Sequence, residues 1–366
     1  MSTGGVARVG VFVSALALLA AGCTREQADT GGGGGAQEAQ SLFDEVVERG
    51  TLRCGVNESV PGFGFRGGAG EIEGFDIDFC KAIAAAVFNT PDVEGKFELV
   101  PVIADDRFTA LRAGQYDVLV RNTTWTSSRD GNEGVAFAHV NFYDSQGMFV
   151  SADSEFQEVA EMDGAPVCVT TGTTTELNLA DYAQELGIEL EAVTFDENPQ
   201  LQEAFLQGRC DGWTSDRSQL AGLISQWPEE EGGPESLRLL PDIMSKEPLA
   251  PAVLDGDTKW YDAVNWVVNG LILSEELGVS SENVQQQVES PDSARVAALL
   301  GVPFEEGGAL DSGLPLDPTF MQSVLQAVGN YGEIYDRHVG SEGLGLERDL
   351  NALWSEGGLQ YAPPFR

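Results

Sequence analysis

Hydrophobic positions along this chain switch repeatedly between a period of two and a period near four. Residues 51–56, Thr-Leu-Arg-Cys-Gly-Val, alternate as a half-buried strand does, whereas Phe75, Phe79, Ile83 and Val87 mark one face of a helix. Residues 97–102 predict a second strand, 105–112 a helix stopped by Gly114, and 117–121 a third strand. The same order then returns: strand 166–170, helix 173–186, strand 190–195, helix 197–207, strand 210–214 and helix 216–226. Strands alternating with helices form parallel α/β units with right-handed crossovers, so two units of similar build are expected.

Two segments join the units. Residues 142–150 read as an outward crossing and 241–251 as the return, where Pro248 and Pro251 forbid a continuous helix. A long amphipathic helix over 259–277 follows, through Trp260, Val264, Val267, Val268 and Leu271. From Val279 onward the chain reads as helical cladding on the first unit. A Gly/Pro-rich loop at 303–318 interrupts it, a helix follows at 319–328, and a final amphipathic turn or two spans 346–354. With two crossings, the first unit comes from both ends of the chain, 42–145 and 249–366, and the second, 146–248, is inserted. Such a pair can close on a ligand by hinge bending.

Length and charge narrow the function. The 366 residues fit about two domains. The chain opens with export machinery: Arg8 precedes an apolar run at 9–21 that is too short to span a bilayer but suits a signal-peptide core. That run ends Leu19-Ala20-Ala21-Gly22-Cys23, similar to a bacterial lipobox. It predicts a lipoprotein signal peptide over 1–22, lipid on Cys23 and a membrane-anchored, extracytoplasmic location. Residues 23–40, with their glycine tract at 31–35, cannot bury enough apolar surface to order and read as a flexible tether. Folded structure is expected from Ser41, a serine N-cap with an acid three residues on. The formal net charge of -39, with lysine only at 81, 96, 246 and 259, excludes nucleic acid as a partner and resembles surfaces exposed to high salt.

With Cys23 assigned to lipid, Cys54, Cys80, Cys168 and Cys210 remain. An even count outside the cytoplasm predicts two disulfides. Cys54 and Cys80 fall in the first unit and Cys168 and Cys210 in the second, which favours those pairings among the three connectivities. No Cys-x-x-Cys occurs, and His139 and His338 lie far from the cysteines, so no metal site and no cofactor is expected.

Candidate chemistry lies beyond strand ends, where open α/β sheets bind ligands. Arg121-Asn-Thr-Thr-Trp-Thr-Ser-Ser-Arg-Asp130 follows the third strand and offers hydroxyls and Arg129 for an anion, although an isolated arginine is more often a surface charge. Gly172-Thr-Thr-Thr-Glu176 opens a helix. Its free N–H groups suit a carboxylate, although Thr173 or Thr174 can equally just cap the helix. Asp216 begins another helix and either caps it or pairs with an ammonium. An arginine for a carboxylate and an aspartate for an ammonium together describe the backbone of a free α-amino acid.

Several motifs resemble the polar amino-acid branch of bacterial extracellular solute-binding proteins: Gly55-Val-Asn, Gly74-Phe-Asp-Ile-Asp-Phe-Cys, Arg107-Phe-Thr-Ala-Leu-Arg-Ala-Gly and Asn122-Thr-Thr-Trp-Thr. Thr171-Gly-Thr-Thr-Thr-Glu-Leu-Asn-Leu-Ala-Asp-Tyr, Ser245-Lys-Glu-Pro-Leu, Val328-Gly-Asn-Tyr-Gly-Glu-Ile and Gly358-Leu-Gln-Tyr-Ala-Pro-Pro are similar to the general L-amino-acid-binding subfamily. The resemblance spans essentially everything after Ser41. It implies a periplasmic-binding-protein-like α/β fold of type II, two lobes joined by a two-strand hinge with a ligand cleft between them. It also implies a monomer that hands free L-amino acids to the transmembrane subunits of an ABC permease. By motif position, Arg129 would fork onto the α-carboxylate, a geometry lysine cannot copy. Thr124 and the carbonyl of Asn122 would contact ammonium or carboxylate, Thr173 and Thr174 would supply helix-start amides and hydroxyls, and Asp216 would meet the ammonium. An aromatic lid is implied near Phe63, with Phe65 open as the alternative. Asn57 stands where relatives choosing basic side chains often carry an acid, which fits broad acceptance of polar amino acids, though Glu58 beside it keeps a cationic preference open.

Two other readings compete. The same fold serves dehydratases of the arogenate or prephenate type, which need an acid poised over the ligand. It also serves sensory modules that report a ligand to a membrane kinase.

Overall fold

The computed structural model describes residues 40–366. The expected signal peptide, Cys23 and all but the last residue of the tether lie outside the described residues. The first lobe begins with α1 (Leu42–Arg49), capped by Ser41 as its sequence predicts, and β1 (Leu52–Val56). A small antiparallel sheet of β2 (Ser59–Val60), β3 (Gly64–Arg66) and β4 (Ile72–Glu73) leads into α2 (Phe75–Val87). Then come β5 (Phe97–Pro101), α3 (Arg107–Arg112), β6 (Val118–Leu119), α4 (Ser127–Asn132) and β7 (Val135–Phe137). The chain crosses on β8 (Phe142–Asp144) and builds the second lobe from β9 (Gln146–Ser151), β10 (Pro166–Thr170), α5 (Thr174–Leu186), β11 (Glu191–Phe195), α6 (Asn198–Leu206), β12 (Gly212–Asp216), α7 (Arg217–Ser225) and β13 (Leu237–Leu239). It returns on β14 (Glu247–Leu249), adds β15 (Ala252–Leu254) to the first sheet, and ends in α8 (Thr258–Glu276), α9 (Val284–Glu289), α10 (Ala294–Leu300), α11 (Phe320–Val328) and α12 (Tyr331–His338).

The two large sheets share a plan. One runs β5-β1-β6-β15-β7 and the other β11-β10-β12-β9-β13. In each, the first three strands are parallel and the fourth is antiparallel to the third. A two-stranded antiparallel pair, β8 with β14, joins them. The outward crossing is therefore shorter than 142–150. Residues 146–151 carry the buried run Gly-Met-Phe-Val and pair with both β12 and β13 inside the second sheet. Where a final turn or two was expected at 346–354, two short 3-10 turns form, at Asp349–Asn351 and Trp354–Glu356.

The first lobe's core explains why α2 is more than amphipathic. Its Phe75, Phe79, Ile83 and Val87 are buried as their spacing predicts, but so is nearly every other position except Lys81. α8, α11 and α12 cover the sides that the sheet leaves open. Phe63, expected as a lid over the ligand, belongs to this core. It is 1% exposed and meets Phe142 and Phe75 edge-on at 5.0 and 5.8 Å between centroids. The chain reverses just before it at Gly62, whose positive φ of 85° turns the side chain inward. Phe65 faces a surface groove beside His338 and does not replace it.

The cysteines divide. Cys168 and Cys210 form a disulfide that ties β10 to the segment entering β12. Cys54 on β1 and Cys80 on α2 are placed side by side as expected, but remain free and buried. This corrects the expected second disulfide. Burial, with the neighbouring Cys54 thiol, pushes the Cys80 thiol well above its usual range.

Candidate functional site

The carboxyl ends of β1, β6, β10 and β12 converge on one cavity of about 470 Å³, the open water at its mouth included. Asn57 follows β1, Arg121 to Thr124 follow β6, Thr170 ends β10 and Asp216 ends β12. Hydrogen bonds cross between lobes around the rim. Arg107 Nη2 donates to the Gly172 carbonyl at 3.0 Å, Asn122 Nδ2 to Gln219 Oε1 at 3.2 Å, and Asn198 Nδ2 to the Ser59 carbonyl at 3.0 Å. The cleft is closed.

One wall is cationic. Arg129 lies on α4, one short turn of helix where a loop was expected, because the Thr126 side chain caps it by accepting from the Arg129 N–H at 3.2 Å. Its Nη1 donates to the Thr124 carbonyl at 2.9 Å, and the guanidinium sits 5.5 Å over the Phe108 ring. Arg107 and Arg121, for which the sequence assigned no role, line the same cavity. Arg107 is 2% exposed and donates to the Ala104 carbonyl at 2.6 Å; Arg121 donates to the Val102 carbonyl at 2.8 Å. Burial above all lowers the affinity of all three for their protons, and drives Arg121 to about 10. None of the three makes an ion pair within 4.0 Å among the described residues. Buried charges without partners are costly unless a ligand supplies them. A usable signal existed, since Arg107 heads a helix and Arg121 ends a strand.

The opposite wall is acidic. Asp216 is buried and gives α7 no side-chain cap, so its carboxylate is free to face the cavity. Burial first, then the fields of Asp144 and Glu247, hold it well above the usual carboxylate range. Asp144 on the hinge strand β8 is likewise pushed up to about 6, chiefly by burial. Glu247, on the facing hinge strand, lies in Ser245-Lys-Glu-Pro-Leu, where nothing local in the sequence marks its acid for a role.

Asn122 joins the walls. Its φ of 29° lies in the left-handed region that few residues other than glycine adopt, a strain such sites often store. Its N–H donates to buried Asp76 at 2.7 Å, and its side chain accepts from Asn57 Nδ2 at 3.3 Å. Burial raises Asp76 to about 7 against that hydrogen bond. At the start of α5, Thr173 does cap the helix, accepting from the Glu176 N–H at 3.1 Å, and both Thr173 and Thr174 still line the cavity. Thus Arg129, Asp216, Thr124, Asn122, Thr173 and Thr174 come together, and Phe63 does not. Trp125 stacks on Phe137 behind the loop.

Two α/β lobes shut on a polar cavity beside a two-strand hinge define a ligand-clamping binding protein. The chain belongs to the bacterial extracellular solute-binding proteins, family 3, whose model matches residues 52–283. It is a solute-binding protein and not an enzyme. The General L-amino acid-binding periplasmic protein AapJ of Rhizobium johnstonii is 42% identical, over 91% of this chain and 95% of that one. The Glutamate/glutamine/aspartate/asparagine-binding protein BztA of Rhodobacter capsulatus is 41% identical, again over 91% and 95%. Among solved structures, a periplasmic binding protein from Brucella ovis with glutathione bound has a TM-score of 0.83 at 39% identity, covering 89% of this chain and all of that one.

Proposed function

We propose that this protein binds free, polar L-amino acids outside the cytoplasm and delivers them to an ABC permease. In this reading it is a monomer held to the membrane by lipid on Cys23. The observation that carries the reading is the unneutralised pair across one closed cavity: half-buried Arg129 on one wall and buried Asp216 on the other, neither ion-paired among the described residues. Arg129 takes the α-carboxylate and Asp216 the α-ammonium. Asn122, Thr124, Thr173 and Thr174 complete the grip. The names of AapJ and BztA support amino acids as the ligand class. Asn57, Ser59, Asn198 and Gln219 along the cavity, with Asp196 and Glu197 beside them, suit polar side chains.

Calorimetric titration of dialysed protein with the twenty L-amino acids and with glutathione, whose γ-glutamyl end carries the same zwitterion, is expected to show micromolar or tighter binding to at least one amino acid. If none binds, the reading fails.

Affinity is expected to rise with pH. Asp216 has its carboxyl held above the usual range in the empty site, so at low pH it must release a proton before it can pair with an ammonium. The affinity then falls by up to about tenfold per pH unit below the free-site value. Titrations in buffers of different ionisation enthalpy count that proton. Absence of proton release throughout pH 5 to 8 would remove Asp216 from the clamp.

A further inference from the structure

Glu247 is 1% exposed on β14 and touches no cation within ion-pair distance among the described residues. Four neutral groups satisfy it instead. Thr124 Oγ1 donates to Oε2 at 2.6 Å and Thr174 Oγ1 to the same oxygen at 2.7 Å. Asn178 Nδ2 donates to Oε1 at 2.9 Å, and the Ser245 hydroxyl donates there too. Thr124 comes from the first lobe and Thr174 from the second, and both line the ligand cavity.

Proton counting makes this arrangement directional. A carboxylate only accepts, and a hydroxyl has a single proton to give. Both threonines donate theirs to Oε2, so their own 3.3 Å contact carries no proton, and both oxygens are left with lone pairs alone. Such oxygens can accept from an ammonium. They cannot donate to a carboxylate, the role that a helix-start threonine would ordinarily fill.

We propose that Glu247 is a positioning residue that fixes the Thr124 and Thr174 hydroxyls as acceptors and so, together with Asp216, makes the site select ligands carrying a protonated amine. The proposal rests on the amino-acid reading and deepens it. It gives the hinge a chemical role: closing the lobes brings one hydroxyl from each to the same carboxylate oxygen, so the acceptor pair exists only in the closed form.

The test compares Glu247→Gln with the wild-type protein on two ligand pairs that differ only in the amine: L-glutamine against glutaramate, and L-glutamate against glutarate. A glutamine amide has one oxygen and one donating nitrogen: placed at the Oε1 position the nitrogen faces Asn178 Nδ2, another donor, and the orientation that relieves this clash sets the nitrogen against the threonine hydroxyls and turns their protons away. The variant is expected to lose about 10- to 100-fold in affinity for the amino acids, the scale of a hydrogen bond to a charged group, and to keep its affinity for the deaminated compounds within about threefold. A merely structural role would weaken both members of each pair alike, and that result overturns the proposal. So does an unchanged preference for the amine. Thr174→Val, which removes one acceptor at nearly constant volume, provides the same readout should the first variant misfold. It is expected to lower the preference for the amine, and an unchanged preference there also overturns the proposal. Where the wild-type protein prefers another amino acid, that ligand and its deaminated counterpart replace these pairs; binding to none of the twenty overturns the amino-acid reading itself, a separate failure.

Discussion

Arg129→Ala is expected to weaken amino-acid binding by about 3 to 5 kcal/mol, a hundredfold to several thousandfold in Kd, because a desolvated carboxylate would lose its charged partner. The empty protein should melt close to the wild-type temperature. α4 buries none of its residues, and the guanidinium's own contacts are one carbonyl and one aromatic face. Arg129→Lys should recover only part of the loss. Lysine restores the charge but not the planar fork that meets two carboxylate oxygens together. Titration calorimetry of both variants against the wild type's tightest ligand measures the effect. Wild-type affinity in Arg129→Ala would mean that Arg107 or Arg121 holds the carboxylate.

Removing the Cys168–Cys210 disulfide should give the largest loss of stability. The bond closes a loop of sequence separation 42, for which chain entropy assigns about 4 kcal/mol at 25 °C. It ties β10 to the entry of β12, neighbouring parallel strands over a core of Phe149, Leu201, Trp213 and Leu220. The double variant Cys168→Ser, Cys210→Ser should therefore melt several degrees lower while retaining binding at low temperature, since neither cysteine lines the cavity. Differential scanning calorimetry decides this, with dithiothreitol-treated wild type expected to match the variant. Equal melting of oxidised and reduced wild type would show that the bond adds nothing. Cys54 and Cys80 serve as the control: already free thiols, they contribute no reductant-sensitive stability.

Much of the fold could be read along the chain. Strand 166–170 occurs as β10 without a shift, and α5, α6 and α8 lie within a residue or so of their predicted bounds, because alternation and helical spacing were uninterrupted there. Caps were legible for the same reason: Ser41 and Thr173 act locally. Errors fell where partners distant in sequence set the outcome. Strand β6 is only two residues long, and the chain after it pairs instead at Thr124 with Leu249, more than a hundred positions away.

Of the cavity, the sequence by itself singled out one charge on each wall. Arg129 and Asp216 follow strand ends in two similar units, and strand ends converge wherever parallel sheets face one another. It also determined the neighbourhood of each cysteine pair. Only the tertiary structure decided that Phe63 belongs to the core, that the adjacent Cys54 and Cys80 thiols remain unbonded, and that Asp216 spares its helix a cap. It alone brought Arg107 and Arg121 into the cavity and set Glu247 against two threonines from opposite lobes. The physical reason is common to these cases. Burial, and the charge a buried group can hold, depend on what lies across the cleft, and a chain read residue by residue carries no record of what faces it there.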